Sequence, residues 1–308
     1  MKFDVLVAGE LNPDLILDDP DLEVSFGQVE TLIEDAALTI GSSSAIFACQ
    51  AARLGLRTAF VGVVGDDLFG RFMLDSLEEA GVDVSACIVD PGLNTGFSVI
   101  LNRGSDRAIL THPGAIAALQ ADQLSDNILK DAAHLHVASF FLQQALQPGL
   151  KDLFTRSQSL HLTTSLDTNW DPAGHWESVR EILPFTSVFF PNENEALALT
   201  NETDPEQAIA CLADMIPIVA LKLGADGGLV RSGTKTLHLP APGVEVVDTV
   251  GAGDSFDAGF LYGYLKGWPL MRALELGIAC GSLSVQARGG TSGQPDLDTA
   301  LKFIHQRE

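Results

Sequence analysis

Short apolar runs alternate along the chain with segments whose apolar residues recur three and four positions apart. The runs predict β-strands and the spaced segments predict amphipathic helices. Nearly continuous apolar strands between such helices are typical of a parallel sheet covered on both faces. The predicted strands are 3–8, 58–64, 135–138, 165–166, 188–190 and 218–221, and the predicted helices are 44–54, 70–80, 194–199 and 255–266.

Two segments, 14–39 and 92–111, break this alternation and predict short strands with turns. Residues 98–101 and 108–111 predict a hairpin around Gly104 and Ser105. We interpret the two segments as a small β-sheet that projects from the core and acts as a lid. The chain contains no repeat and no clear linker, so residues 1–308 are predicted to form a single α/β domain.

Composition limits the classes of function. No run reaches the roughly 18 uninterrupted apolar residues of a membrane span. Asp4 and Glu10 flank the first short apolar run, which predicts a strand and not a signal peptide. The four cysteines are widely separated, so neither a disulfide framework nor a zinc site is indicated. A cytoplasmic protein is expected.

The formal net charge of −23 argues against nucleic acid and anionic membranes as partners. An anionic small substrate stays compatible with this charge, because a local basic patch can override the mean.

The segment 248–260 is the most informative part of the chain. Gly251, Ala252 and Gly253 directly precede Asp254, where a helical pattern begins. A turn of small residues at a helix start leaves N–H groups unpaired, and the helix dipole adds partial positive charge. This combination binds anions, phosphate in particular. A carboxylate there suits a general base that takes a proton from an attacking hydroxyl.

A simpler interpretation is that Asp254 only caps its helix and that the glycines serve the turn sterically. Ala258, Gly259 and Gly263 weigh against it, because they predict a helix packed tightly against a neighbour.

Polar residues also follow other predicted strands. In a doubly wound sheet, ligands bind beyond the carboxyl ends of the strands. Asn12 and Asp14 are therefore candidates to bind substrate hydroxyls, although turn chemistry would explain them too. A hydroxyl-rich helix start follows at Gly41, Ser42, Ser43, Ser44 and Ala45, with an ordinary serine cap as the alternative.

Two further strand ends are candidates for nucleotide contacts. Asn192 and Glu195 could orient water around a magnesium–phosphate unit, or form a capping box. The segment that starts at Lys222 could line a nucleotide or form a hairpin turn. No Walker-type phosphate loop, no dinucleotide fingerprint after the first strand and no H-E-x-x-H metal motif is present in the sequence.

Together these segments resemble the PfkB family of ribokinase-like carbohydrate kinases over essentially the whole chain. The resemblance implies a three-layer αβα core with a mainly parallel sheet and a β lid. It also implies phosphorylation of a sugar-like hydroxyl by ATP with magnesium. Transfer of this kind depends on positioning and charge stabilisation more than on covalent chemistry.

The resemblance assigns roles residue by residue. Asp254 would be the base, and the amides of Gly251, Ala252 and Gly253 would hold the transferring phosphoryl group. Glu195 would act on magnesium through water. Nucleotide contacts would come from Asn192, Lys222, Leu223, Gly224, Ala225, Asp226, Gly227, Gly253 and Ile278. Substrate contacts would come from Asn12, Asp14, Gly41, Ser42, Ser43, Ser44, Ala45, Arg107 and Asp254. A monovalent cation, potassium, would lie near Asp248, Val250, Ser284, Ala287 and Gly289. A lid-mediated homodimer is also compatible.

The chain departs from the family pattern at three positions. The usual Gly-Gly pair is Gly41-Ser42, and two frequent asparagines fall on Ile46 and Ile116. Isoleucine cannot hydrogen-bond a hydroxyl. We therefore expect Ile46 to face a reshaped substrate pocket, with a shifted helix and a core position as the alternative.

Two other functions stay open at this point. A nucleoside kinase of the same family would need an aromatic platform, which Phe97, Phe140 and Phe141 could supply. A catalytically idle sugar-sensing protein would explain the lost amides, but the intact motif at 251–254 speaks against it.

Overall fold

A computed structural model of the protein describes residues 1–104, 106–171, 174 and 176–306. The strands are β1 (Val5–Ala8), β2 (Pro13–Asp18), β3 (Asp35–Ile40), β4 (Thr58–Val61), β5 (Val63–Gly65), β6 (Ile88–Asp90), β7 (Phe97–Arg103), β8 (Asp106–His112), β9 (His134–Val137), β10 (Thr163–Leu166), β11 (Val188–Phe189), β12 (Ile218–Lys222), β13 (Gly228–Ser232) and β14 (Lys235–Leu239). The helices are α1 (Ser43–Arg53), α2 (Leu68–Glu79), α3 (Asp126–Lys130), α4 (Gln147–Ser159), α5 (Glu177–Arg180), α6 (Glu193–Thr200), α7 (Pro205–Ala213), α8 (Ala252–Leu265), α9 (Leu270–Ser284) and α10 (Leu297–His305).

The main sheet has eight strands in the order β14-β13-β12-β11-β10-β9-β1-β4. The six strands from β4 to β12 pair in parallel, and β13 and β14 continue the sheet antiparallel. The predicted parallel sheet is confirmed. The predicted strand 58–64 is in fact two strands, because the chain leaves β1 after Val61 and then pairs with β6.

A separate hydrophobic core lies on each face of the main sheet, between the strands and the helices packed on that face. Along β1, Leu6 and Ala8 point into one core, while Val5 and Val7 point into the other. The first core lies under α3 to α7, and the second lies under α1, α2 and α8 to α10. This alternation is why the strands are apolar on both faces and why the three-layer arrangement forms.

A separate four-stranded sheet has the order β3-β2-β7-β8. The hairpin of β7 and β8 agrees with the prediction, although Ser105 at its tip lies outside the described residues. Both segments predicted for the lid contribute strands to this sheet. Its function as a lid stays a prediction.

Glycines on α8 permit very close packing against α9. A Cβ on Gly259 would lie 2.8 Å from the carbonyl oxygen of Leu276, and one on Gly263 would lie 2.8 Å from Ala273 Cα. The expectation that the small residues serve tight packing is confirmed. The position of the α8 N-terminus is therefore fixed by a rigid contact along the helix. None of the described helices is both long enough and apolar enough to cross a bilayer.

Candidate active site

The loops after several parallel strands converge on the first turn of α8. They come from the carboxyl ends of β1, β9, β10, β11 and β12, the edge where ligands bind in doubly wound sheets. Side chains from these loops surround Asp254, and the predicted site residues divide into those that meet there and those that do not.

The first turn of α8 leaves backbone N–H groups unpaired, as a predicted anion-binding turn requires. Gly251 adopts a left-handed conformation with φ of +73°, and a Cβ there would lie 2.8 Å from the carbonyl oxygen of Gly290. A side chain is thus excluded by both backbone strain and contact. Among the described residues, no backbone carbonyl accepts a hydrogen bond from the N–H groups of Gly253 and Asp254. These amides remain free for a ligand.

Asp254 is only 7% exposed at the start of the helix. Burial raises its pKa from 3.8 to about 8, and the negative charges of Asp167 and Glu10 add to this rise. The ammonium group of Lys222 and a hydrogen bond from Ser43 act in the opposite direction. A carboxyl group with a pKa near neutrality is suited to accept and release a proton.

A buried group of charges lies beside Asp254. Lys222 Nζ donates hydrogen bonds to Asp167 Oδ2 at 2.8 Å and to Asp257 Oδ2 at 3.1 Å. Asp167 Oδ1 accepts from the backbone N–H of Asn169 at 3.0 Å. Burial alone would lower the pKa of Lys222, but the neighbouring carboxylates raise it. The lysine is therefore held as a cation.

Asp167 and Asp257 were not among the predicted site residues. Asp167 directly follows β10, so its place at a strand end could have revealed it. Asp257 is one helical turn after Asp254 on α8, a spacing that places both side chains on one face.

The predicted substrate residues of the first strand end do come together. The carbonyl oxygen of Asn12 accepts hydrogen bonds from the N–H groups of Gly41 and Ser42, each at 3.1 Å. A Cβ on Gly41 would lie 2.1 Å from Asp14 Oδ1, so glycine is required for the carboxylate to stay there. Burial raises the pKa of Asp14 to about 6.

Glu10 organises the serines at the start of α1. Its carboxylate accepts hydrogen bonds from Ser42 Oγ at 3.1 Å, Ser44 Oγ at 2.6 Å and Ser139 Oγ at 2.9 Å. Ser42 Oγ also accepts from the N–H of Ala45, as an N-cap does. The cap interpretation therefore holds for Ser42. Glu10, which was not predicted as a site residue, accepts hydrogen bonds from the hydroxyl groups of Ser42 and Ser44.

Ser43 differs from its neighbours because it faces Asp254. Asn169 Nδ2 donates to Ser43 Oγ at 3.0 Å and to Ser139 Oγ at 2.8 Å. Asn169 and Ser139 both have left-handed backbone conformations, with φ of +53° and +52°. Such conformations in non-glycine residues are uncommon and concentrate at functional sites.

Asn192 and Glu195 form the capping box of α6. Glu195 accepts from Asn192 N at 2.9 Å and from Asn192 Nδ2 at 2.6 Å, and its own N–H donates to Asn192 Oδ1 at 3.0 Å. Burial, followed by the charge of Asp167, raises the pKa of Glu195 to about 7. Among the described residues, no group of three His, Cys, Asp or Glu side chains is arranged to hold a metal ion. A role of Glu195 through water stays a prediction.

The segment after β12 is the hairpin turn to β13, with Lys222 opposite Gly228. Its short 3-10 turn, Gly224–Asp226, is exposed. The backbone N–H of Lys222 donates to the carbonyl of Pro191 at 2.9 Å, which joins this turn to the start of α6. Ile278 lies on α9 and is buried at 5% exposure. Their contacts with a nucleotide stay predictions.

The loop that follows α9 is fastened to Asp248. Asp248 Oδ1 accepts from Val250 N at 3.0 Å and Oδ2 accepts from Gly289 N at 2.9 Å. Ser284 is buried and bonds to its own helix, and Ala287 is half-buried. The predicted cation residues thus form one loop pair beside Gly251.

Other predicted contacts lie apart from Asp254. Arg107 is exposed on β8, on the same face as Asp14, because Asp14, Ser98 and Thr111 are cross-strand neighbours. Phe140 is buried in the first core and therefore offers no platform for a nucleobase.

The expectation that Ile46 faces the substrate is wrong. Ile46 is 1% exposed and belongs to the second core. Its side chain lies under Gly251 and Gly290, where added Cβ atoms would come within 2.9 and 2.3 Å of it. Ile116 is likewise buried, against Gly96. Both isoleucines are buried, so they give no evidence about the substrate.

Comparisons with known proteins identify relatives of this chain. The model of the pfkB family carbohydrate kinases matches residues 2–297. A 2-dehydro-3-deoxygluconokinase of Bacillus subtilis is 33% identical over 273 residues, which cover 83% of this chain and 84% of that protein. An ATP-dependent ribose-1-phosphate kinase of Halopiger xanaduensis is 30% identical over 306 residues, or 98% of each protein.

A solved structure is similar over the whole chain. It is an Escherichia coli protein provisionally termed ribokinase II, in complex with ATP and Mg²⁺, with 26% identity and a TM-score of 0.87. The match covers 99% of this chain and 100% of that chain. The ribokinase-like fold is confirmed.

The chain belongs to the pfkB family of carbohydrate kinases. It is an enzyme that transfers a phosphoryl group to a hydroxyl of a sugar or a sugar-like small molecule.

Proposed function

We propose that Asp254 accepts the proton of the substrate hydroxyl while the free amides of Gly253 and Asp254 hold the phosphoryl group. The observation that carries this proposal is the first turn of α8, where a buried carboxyl group and unpaired N–H groups share one turn. Of the three amides predicted for this role, the N–H of Ala252 donates to the carbonyl oxygen of Thr249 at 3.3 Å. Gly251 and Ala252 would therefore set the path of the turn, and the amide of Asp254 would take the place of theirs. The amides stabilise negative charge as it develops on the transferring oxygens.

ATP and magnesium fit this site as the phosphoryl donor and its counter-ion. The protein groups available for this purpose are the free backbone amides, the Lys222 ammonium, and the Asn192 carboxamide and Glu195 carboxylate of the α6 cap. Bound ATP supplies the phosphoryl group, and magnesium offsets the charge of its phosphates. Asn192 and Glu195 would hold the magnesium–phosphate region through water. The turn after β12 and Ile278 would line the nucleotide.

The substrate hydroxyls would bind between the first strand end and the small sheet. The Asp14 carboxylate and the Asn12 side chain would accept and donate hydrogen bonds there, with Gly41 giving close access. Ser43 would position the reacting end, because it contacts Asp254 directly. The relatives named as gluconate-type and ribose-phosphate kinases suggest sugar acids and sugar phosphates as the first substrates to test.

The small sheet would close over the substrate as a lid within a single domain. Its inner face carries Asp14, and its outer face carries neighbouring apolar side chains, since Leu15 pairs with Leu38 and Val99 pairs with Leu110. Leu110 is 62% exposed. A homodimer that buries this outer face is therefore proposed, and light scattering of wild type and Leu110→Asp tests it.

We also propose that the protein is located in the cytoplasm.

Potassium would bind beside the anion-binding turn, through oxygens of the loops that Asp248 joins. Such a cation would add positive charge next to Gly251 without using a metal-binding cluster. We expect kcat to rise when potassium replaces tetramethylammonium at fixed ionic strength. An unchanged kcat would remove potassium and leave the kinase proposal intact.

The test of the function is ATP consumption by the purified protein over a panel of sugars, sugar acids, sugar phosphates, polyols and nucleosides. One sugar-like class should give saturable turnover that Asp254→Asn lowers by about 10²–10⁴-fold. Turnover confined to nucleosides would favour a nucleoside kinase. Binding of a sugar without ATP consumption would favour a sensing protein.

A further inference from the structure

We propose that Asp167 and Asp257 are positioning residues that hold the ammonium group of Lys222 beside Gly253, where this charge meets the phosphoryl group during transfer. The inference rests on the proposed kinase reaction and adds a resident cation to the anion-binding turn. The three residues Lys222, Asp167 and Asp257 are called the cation cluster below.

The cation cluster joins three separate elements. Lys222 ends β12, Asp167 follows β10, and Asp257 lies on α8 one turn after the base. The two carboxyl groups bind the same ammonium nitrogen, at 2.8 and 3.1 Å. A lysine side chain is flexible by itself, so two anchors from different elements are needed to fix its charge in one place.

The ammonium group lies beside the first turn of α8. A Cβ built on Gly253 would be 3.5 Å from Lys222 Nζ, so the nitrogen faces the open side of the residue that presents a free amide. The backbone of Gly253 is not left-handed, and its lack of a side chain keeps the space beside the ammonium open. Lys222 is also the most exposed member of the cluster, with 13% of its side chain exposed against 3% and 1%.

Stability alone does not account for the cluster. Buried ion pairs can often be replaced by apolar residues with little or no loss of stability. Asp257 Oδ1 is buried and has no hydrogen-bond partner in the described part of the chain, which is a cost to folding. Groups that cost stability and persist are expected where they serve a function.

The charges of the cluster suit this task. Burial by itself would raise the pKa of Asp167, but Lys222 and a hydrogen bond from Asp257 lower it, so Asp167 is ionised. Burial raises the pKa of Asp257 well above its usual range, against the opposing charge of Lys222, which favours the neutral form of this carboxyl group. With Asp257 neutral, the single anion Asp167 balances the single cation Lys222.

The first experiment removes the charge in a balanced way. The double variant Lys222→Met/Asp167→Asn loses one cation and one anion, so it leaves no unpaired buried charge. Its kcat is expected to fall by about 10²–10³-fold, the usual effect of losing one electrostatic donor in an active site. The KM for ATP should change by a smaller factor than kcat, and Tm should stay close to that of wild type. Lys235→Met, at an exposed lysine on β14, is the matched control. A folded double variant with near-normal kcat would overturn the proposal.

The second experiment tests the positioning role directly. Lys222→Ala should regain activity when ethylammonium is added, and not when tetramethylammonium is added at equal ionic strength. The recovery should disappear when Asp167→Asn or Asp257→Leu is combined with Lys222→Ala. Equal recovery with and without the two carboxyl groups would refute their role, and circular dichroism checks that each variant is folded. Wild-type protein without any sugar-dependent turnover would instead contradict the proposed function.

Discussion

Replacing Asp254 with Asn should strongly lower turnover and stabilise the protein at the same time. The pKa of this group rises from 3.8 to about 8 on folding, chiefly through burial. A group whose pKa is raised in the folded state contributes stability below its unfolded pKa and loses that contribution as pH rises through the folded pKa. The wild-type carboxyl group therefore becomes more destabilising as pH rises from 4 to 8, and the amide of Asn does not.

The magnitude follows from about 1.4 kcal/mol for each pKa unit. The free energy of unfolding of Asp254→Asn, relative to wild type, should increase by ~4 kcal/mol between pH 5 and pH 8.5. For a chain of this length this corresponds to a Tm difference that grows by roughly 6 °C.

Two measurements check this prediction. Calorimetry of both proteins at pH 5, 7 and 8.5 gives the Tm difference, and initial rates at saturating ATP give kcat. The kcat of Asp254→Asn should fall by about 10²–10⁴-fold, because general base catalysis is lost. In wild type, kcat/KM should rise with pH up to about pH 8. A Tm difference that is independent of pH would refute the buried, proton-holding state of Asp254, and near-normal turnover would refute its role as the base.

Three further predictions concern residues around the site. Ile46→Asn should lose ~3 kcal/mol of stability, because it buries an amide without a partner, whereas Ile46→Val should lose only about 0.5–1.5 kcal/mol; denaturant unfolding measures both, and an altered substrate preference without loss of stability would return Ile46 to the pocket. Arg288, in the loop after α9, forms an ion pair at 3.0 Å with Asp18 Oδ2 at the end of β2, and so joins that loop to the small sheet proposed as the lid. Arg288→Ala should raise the sugar KM by no more than about fivefold, since exposed pairs contribute ~1 kcal/mol or less; the effect should vanish in high salt, and its persistence there would contradict an ionic cause. Asp14, with a pKa raised to about 6 by burial, should bind substrate less well as pH falls through 6, and Asp14→Asn should have a sugar KM that is flat over this range; a wild-type KM that does not change there would contradict a role for the carboxylate.

Much of the fold could be predicted from the sequence, because local patterns report local structure. Apolar runs between amphipathic helices were sufficient to predict the parallel sheet and its covering helices. The small residues before and after Asp254 predicted both a phosphate-binding turn and a tightly packed helix, since glycine allows a left-handed turn and a close approach of two backbones. The resemblance to the family rested on motifs that survive at 30% identity.

The direction of individual side chains was decided only by the tertiary structure. Ile46 could face the site or the core within the error of one helical turn, and only packing against Gly251 and Gly290 puts it in the core. Ser42 and Ser43 are adjacent and alike in sequence. One binds Glu10 and the other faces Asp254, because successive residues at a helix start point in directions about 100° apart.

The cation cluster beside Asp254 depended even more on the tertiary structure. Asp167, Lys222 and Asp257 are separated by many residues along the chain, and nothing in their local sequence pairs them. They meet because β10 and β12 end, and α8 begins, at the same edge of the sheet. Sequence fixes which residues are present at each strand end, whereas burial and proximity, which set their charges, exist only after the strands have assembled.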